Sequence, residues 1–317
     1  MTNKENLLRA ILRQKPEWVP CWKDSCAFIP CSAIEDRAKG GTGDDWFGVP
    51  WIDMTPAPNG ALFDDVSKWR DYVHFPDLDA IDWEAAAQKD LAGLNREEKL
   101  LWIPLFSGLF ERLHAFIGFE NTLVSFFGDP EEVQALIDAY CDFKIKEIDK
   151  VITYYKPDVV CMHDDYGMKT NMFMRPEMWR EFFKEPLRRI NDYCKSRDTI
   201  FALHCCGKVD PIIGDFVELG ITVWDSVNFC NDLPAIYAKY GKDISFTSNL
   251  DMIFLAKASE EEVREHVRWA IDTLGKYGNM SPRDDAPTIS QTTLDIIADE
   301  TRRYGCDYYQ RNPIPEA

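Results

Sequence analysis

The sequence predicts an α/β protein, a (β/α)8 TIM barrel with an N-terminal helical and loop extension. Three observations carry this. From residue 99 onward short apolar segments alternate with amphipathic ones, the pattern of βαβ units feeding a parallel sheet. Eight short strands are expected, near residues 18, 102, 160, 201, 223, 245, 280 and 308, the number that closes such a sheet on itself. A length of 317 residues suits one barrel, since barrels run past about 250 residues as a single unit. The alternative is an open doubly wound sheet. No Gly-x-Gly-x-x-Gly follows an early strand, so a dinucleotide-binding form of it has no support. The chain, 1–317, reads as a single barrel domain, with 1–95 as N-terminal decoration plus the first strand.

The elements follow in order. Residues 3–13 place Leu7, Leu8, Ile11 and Leu12 on one helical face. Trp18-Val19, between Pro16 and Pro20, reads as a brief first strand. Residues 23–80 are rich in glycine and proline and read as irregular; a loop this long is usually functional or packed over something. Asp82 is expected to cap a helix through residue 94. A strand over 100–106 precedes a helix over 110–127. Asp129-Pro130-Glu131-Glu132 then opens a helix to about residue 155, with a capping acid, proline in the first turn and further acids at the positive end of the dipole. Strands over 158–162, 199–203, 221–224, 244–247 and 279–281 alternate with helices over 176–195, 209–219, 232–240, 259–277 and 291–304. A last strand is expected over 306–309.

Hydrophobic residues make up 45% of the chain and charged ones 28%, with a net charge of −18. So acidic a surface repels phosphate backbones and anionic lipid, which argues against nucleic-acid and membrane partners. The amphipathic N-terminus lacks the apolar core of a signal peptide, and no stretch approaches the ~18 apolar residues of a membrane span. Ten scattered cysteines then predict a reducing, cytoplasmic setting with free or metal-binding thiols.

Barrel active sites lie at the C-terminal strand ends. The richest such end is Phe201-Ala-Leu-His204-Cys205-Cys206-Gly207. Side chains two apart on a strand share a face, so His204 and Cys206 stand together while Cys205 faces away and packs. An imidazole nitrogen and a thiolate are two of the three protein ligands of a catalytic zinc; a cysteine-rich strand end with a satisfied histidine is the competing reading of the pair alone. The second end is Met162-His163-Asp164-Asp165-Tyr166-Gly167. Buried carboxylates cost several kcal/mol unless paired or metal-bound, so Asp164 and Asp165 are candidates for a ligand, a partner to His204 or an acid/base group. They also suit a solvent-facing turn. Trp22, Phe106, His163, Tyr166 and Trp224 fall at strand ends and are expected to wall a pocket for a flat ligand; packing of the long loops is the competing reading. Asp225, Asn249, Asp251, Ser281, Arg283, Asp284 and Asp285 also fall at strand ends. Cys230 follows the fifth strand's turn and could reach the site, with ordinary burial the favoured reading.

His204-x-Cys206-Gly207, the preceding Asp164-Asp165-x-Gly167 and the helix start Arg175-Pro176-Glu177-Met178-Trp179 resemble the uroporphyrinogen decarboxylase (URO-D) superfamily, and within it the cobamide-dependent methyltransferase branch. The resemblance covers nearly the whole chain and is weakest over residues 23–80. It implies a (β/α)8 barrel. The decarboxylase binds eight carboxylates through an arginine-rich loop after the first strand, whereas Cys21-Trp-Lys-Asp-Ser-Cys26 holds no arginine. In the methyltransferase branch the His-x-Cys pair binds zinc together with a cysteine after the seventh strand. Here Asn279-Met-Ser-Pro-Arg-Asp284-Asp285 offers none. An oxygen ligand from Asp284, Asp285 or the Asp164-Asp165 pair in its place leaves zinc more electrophilic.

The resemblance then implies the zinc-dependent methyltransferase component of an O-demethylase, which takes methyl from a methoxylated, aromatic small molecule. The acceptor is a cobamide carried by a separate corrinoid protein, since the chain lacks Asp-x-His-x-x-Gly. One alternative reverses the direction, from methylcobamide to a thiol such as coenzyme M. Another is a metal-free barrel that decarboxylates or binds a ligand.

Overall fold

A computed structural model describes residues 1–247, 249–283 and 289–316. Ten strands occur among them: β1 (Cys26–Phe28), β2 (Gly43–Asp44), β3 (Pro50–Ile52), β4 (Thr55–Pro56), β5 (Leu100–Leu105), β6 (Val159–His163), β7 (Ile200–His204), β8 (Val223–Asp225), β9 (Ser245–Thr247) and β10 (Met280–Ser281). Seven of them form one sheet in the order β1-β5-β6-β7-β8-β9-β10. Every neighbouring pair is parallel. The sheet curls until its ends approach: the Arg283 guanidinium, just past β10, lies 5.0 Å from the ring of Phe28 on β1. Ser281 Oγ donates to the Pro20 carbonyl at 3.2 Å across the gap.

Strand periodicity divides the apolar residues between two cores. Leu100, Trp102, Val159, Cys161, Ala202 and Val223 point into the concave face, where Leu7 and Ile11 of the helix Asn3–Ile11 plug the bottom. Thr2 and Glu5 close that helix's N-terminus as a reciprocal capping box. Burying Leu7 and Ile11 stabilises by about 1.5–3 kcal/mol each. The alternate residues Leu101, Ile103, Val160, Met162, Phe201, Leu203 and Trp224 face the surrounding helices. The helix Pro130–Tyr155 is among these, with proline in its first turn as its sequence demands.

Five expectations need correction. The main sheet holds seven strands among the described residues, not eight. The first strand is β1, not the segment near residue 18. Prolines on both sides of Trp18-Val19 supply no amide, and Val19 makes one backbone bond, to the Gly305 carbonyl at 3.1 Å. The last strand, expected near residue 308, is the helical turn Tyr308–Arg311. Local bonds win there: the Gln310 and Arg311 amides donate to the Asp307 carbonyl, and the Arg311 side chain pairs with Asp307 at 2.9 Å. The helix expected over 110–127 is two, Leu109–Ile117 and Phe119–Gly128, because Gly118 at φ 86° turns the chain between them.

Residues 23–80 are not irregular throughout. Besides β1 they hold the antiparallel sheet β2-β3-β4, built around Asp45. That carboxylate accepts from the Phe47 and Val49 amides and the Trp51 indole, and pairs with Arg112 Nη1 at 2.6 Å. Both ions are fully buried, so this small sheet is fixed to the helix Leu109–Ile117 by a pair costly to break. Among the described residues no helix is long and apolar enough to cross a membrane.

Candidate metal centre

Parallel register lines up the rim of the sheet. His163 on β6 pairs with His204 on β7, which pairs with Asp225 on β8. All three continue the inward series of Cys161, Ala202 and Val223, so they form the next layer above that core. Cys206, two residues past His204, turns its sulfur to the same side. His204 Nε2 and Cys206 Sγ lie 3.4 Å apart. Zinc at about 2.0–2.1 Å from nitrogen and about 2.3 Å from sulfur, with a tetrahedral angle, needs its donors about 3.5 Å apart. The pair fits.

A third donor comes from Asp165. Its Oδ1 accepts from the Cys206 amide at 2.6 Å, which holds the carboxylate beside the sulfur. Ligand atoms of Asp165, His204 and Cys206 all lie within 4.8 Å of one another. The approach of the two loops depends on glycine. Gly207 has φ 84°, and a Cβ on it would overlap the Gly167 carbonyl; a Cβ on Gly167 would come 2.7 Å from the Lys208 amide. Both motif glycines thus let the Asp165 and Cys206 loops meet backbone to backbone.

Asp225 stands behind His204, its Oδ2 2.7 Å from Nδ1. A carboxylate there fixes the tautomer and directs Nε2 outward. Arg283 Nη1 donates to both Asp225 oxygens at 2.9 Å, and the Thr247 hydroxyl donates to Oδ1. Burial alone would raise the Asp225 carboxyl, but Arg283, then His204 and Thr247, hold it well below the usual carboxylate range. A deeper group, Cys161, His163 and Asp225, is equally close-set. Its carboxylate is already engaged by Arg283, so a second cation there meets repulsion.

Asp164 and Asp165 point to opposite sides. Asp164 is fully buried on the helix side. It accepts from the Leu109, Phe110 and Glu111 amides at 2.8–3.0 Å and from the Tyr166 hydroxyl, so it caps the helix Leu109–Ile117 from a distant strand. Burial pushes its carboxyl up to about 7, against the pull of those donors.

The aromatic residues divide. His163 stacks on His204, centroids 3.8 Å apart and planes 5° from parallel, and Phe106 meets His163 edge-on at 5.1 Å. Burial keeps the His163 ring neutral, its pKa well below the ordinary value. Trp22 lies under the Arg283 guanidinium, 4.7 Å away, inside the concave core. Tyr166 packs behind the sheet with Phe110, Trp179 and Phe183. Trp224, adjacent to inward-facing Asp225, points outward, and its indole donates to the Cys205 carbonyl at 3.0 Å. Neither Tyr166 nor Trp224 reaches the His204 side.

A cleft of about 670 Å³ opens above the centre, with His204, Cys206 and Ser226 on its floor and Phe229, Met252 and Ile253 in its wall. Cys230 also lines it. Sequence reasoning gave no role to Asp225 or Arg283, although strand parity with Val223 points Asp225 inward. It missed Thr247 and the half-buried pair Arg37–Glu111 at 2.7 Å, which no motif announces. Burial pushes Glu111 up to about 8, opposed by Arg37. Asp284 and Asp285 lie outside the described residues.

Comparison with known proteins follows the same lines. No curated protein matches the chain. A solved structure described as a methyltransferase from Methanosarcina mazei superposes with a TM-score of 0.74 at 14% identity, covering 96% of this chain and 99% of that one; this likeness speaks to the fold. Residues 110–281 match the model of uroporphyrinogen decarboxylase (URO-D). That segment holds more than half of the chain, including β6, β7 and β8 with their rim residues, and the protein therefore belongs to the URO-D family.

Proposed function

We propose that the protein is a zinc-dependent methyltransferase that moves a methyl group from a methoxylated, aromatic compound to a corrinoid protein in the cytoplasm. On this reading the chain is a single domain of (β/α)8 type, with seven of its strands in the curled sheet among the described residues. One observation carries the proposal: the His204 nitrogen and the Cys206 sulfur meet in the lining of an open cleft, with the Asp165 carboxylate held beside the sulfur and Asp225 behind the histidine. The fold shared with a methyltransferase supports it.

His204 and Cys206 would hold the metal, and Asp165 would complete the protein's donor set in place of a second thiolate. A zinc ion held there supplies a positive charge that stabilises the oxygen left behind when the methyl group departs. Asp225 keeps the proton of His204 on Nδ1, so that Nε2 stays a donor. Phe229 and Met252 give the aromatic ring an apolar wall, while the open side admits the partner that carries the cobamide. A cleft of about 670 Å³ lies within the roughly 300–1,000 Å³ of small-molecule sites. Arg283 and Lys169 are its cationic lining side chains, a poor match for a ligand with eight carboxylates.

The test is methyl transfer to a reduced corrinoid protein, offered a panel of methoxyarenes, methylamines and thiols. Methylation of the corrinoid by a methoxyarene, dependent on bound zinc, is expected. Methylation of a thiol by the methylated corrinoid protein, with no transfer from any methoxyarene, would reverse the direction. Purified protein that takes up no zinc would end the reading.

A further inference from the structure

We infer that Ser226 is a positioning residue that donates a hydrogen bond to the Cys206 sulfur and thereby sets how much charge the thiolate yields to a metal. The inference rests on the proposed reading that Cys206 is a metal ligand, and it bears on the direction of methyl transfer. Ser226 follows the last residue of β8, and its Oγ lies 3.0 Å from Cys206 Sγ. A metal-bound thiolate carries no proton, so in that state the hydroxyl must be the donor.

The backbone argues that the contact matters. Ser226 sits at φ 60°, in the left-handed region that favours glycine and, after it, asparagine and aspartate. A turn needing only that conformation would be best served by glycine. Serine here accepts the strain, and its side chain ends against the sulfur. Unfavourable backbone geometry of this kind persists where the surroundings enforce it, and the surroundings do. Asn228 Oδ1 accepts from the Gly207 amide at 2.8 Å, and Asn228 Nδ2 donates to the Ser226 carbonyl at 3.0 Å. Asn231 stitches the same two loops again, accepting from the Val209 amide and donating to the Gly207 carbonyl, each at 2.8 Å. The Ser226–Cys206 contact is thus clamped from both sides.

A donor on the thiolate draws charge away from the metal. Asp165, an oxygen donor, yields less charge than a second thiolate would. The two effects act together and keep the ion electrophilic, which suits activating a methyl donor more than generating a thiolate nucleophile.

The probe is cobalt(II) in place of zinc, read by its sulfur-to-cobalt charge-transfer absorption. Wild type should show the band. Ser226→Ala and Ser226→Gly both remove the hydroxyl, and glycine also relieves the φ strain, which protects the experiment against a misfolded variant. In both, the band should move to lower energy, and the demethylation kcat should fall about tenfold with little change in KM. An unchanged band in both variants, with cobalt still bound, would overturn the inference and leave the metal reading standing. A shift in Ser226→Ala but not in Ser226→Gly would assign the effect to backbone strain and overturn it equally. A wild type that binds cobalt without a sulfur band, or binds none, would remove Cys206 as a ligand and the inference with it.

Discussion

Replacing Asp225 by Asn probes the centre with almost no change of shape. The carboxylate takes His204 Nδ1 at 2.7 Å, Arg283 at 2.9 Å on both oxygens, and the Thr247 hydroxyl. An amide keeps one acceptor and turns the other position into a donor. Arg283 touches both oxygens, so that donor meets the guanidinium in either orientation, and in one of them it meets the His204 N–H as well. If His204 is the loser, its ring is no longer held with Nε2 outward. Changes of this kind behind a ligating histidine cost about 10–100-fold in metal affinity, which is about 1.4–2.8 kcal/mol. Stability falls separately. Arg283, mostly buried, loses a carboxylate, and removing one partner of a buried ion pair costs about 3–5 kcal/mol. Zinc affinity measured by competition with a chromogenic chelator, alongside urea unfolding of the metal-free protein, distinguishes the two losses. Unchanged zinc affinity would refute the role given to Asp225 as the orienting group of His204, whatever the unfolding curve shows. The acid limb of unfolding supplies a further check. The folded-state pKa of Asp225 lies well below 3.8, so its stabilisation is complete above about pH 4 and is lost as pH falls through the folded value. Asp225→Asn should lack that contribution to acid sensitivity.

Further outcomes follow from the same geometry. His204→Ala and Cys206→Ala should each abolish stable zinc binding and turnover while the circular dichroism spectrum of the metal-free protein holds, since rim residues serve activity more than the fold; full activity in either would exclude the site. Asp164→Asn and Asp165→Asn should separate: the first lowers unfolding free energy by about 1–3 kcal/mol through its lost cap and Tyr166 bond with zinc binding intact, and the second weakens zinc binding with stability nearly unchanged, so matching profiles would remove the distinction. Glu111, pushed up to about 8 from 4.5, holds a proton in the folded chain that the unfolded chain releases. The folded state therefore binds more protons between those values, and metal-free stability should decline as pH rises from about 4.5 to about 8. Glu111→Gln should flatten that decline in pH-resolved unfolding, and an unaltered slope would contradict the assignment.

What the sequence made legible was local, and what it hid was register. His204 and Cys206 share a side because alternation along one strand is fixed by backbone geometry, and the same alternation separates Asp164 from Asp165. Carried consistently, it would also have turned Trp224 outward once Asp225 was taken as inward. Asp225 is different. Its place behind His204 depends on how β7 and β8 align, and nothing in either strand's own residues states that alignment. Ser226 reaches Cys206, and Asn228 the Gly207 amide, through that same pairing, and Arg283 arrives from the far end of the curled sheet. The strand misplaced near residue 308 failed for the opposite reason: a local Asp307–Arg311 pair outweighed the aromatic, strand-like composition of Tyr308-Tyr309. The candidate donors His204 and Cys206 could thus be read from one strand, whereas the choice of Asp165 over Asp164, Asp284 and Asp285 as a third, and the groups behind and beside the pair, depend on neighbouring strands and become visible only when the sheet is assembled. On the proposed reading, those neighbours act together with the oxygen donor Asp165 in setting how electrophilic a bound metal is.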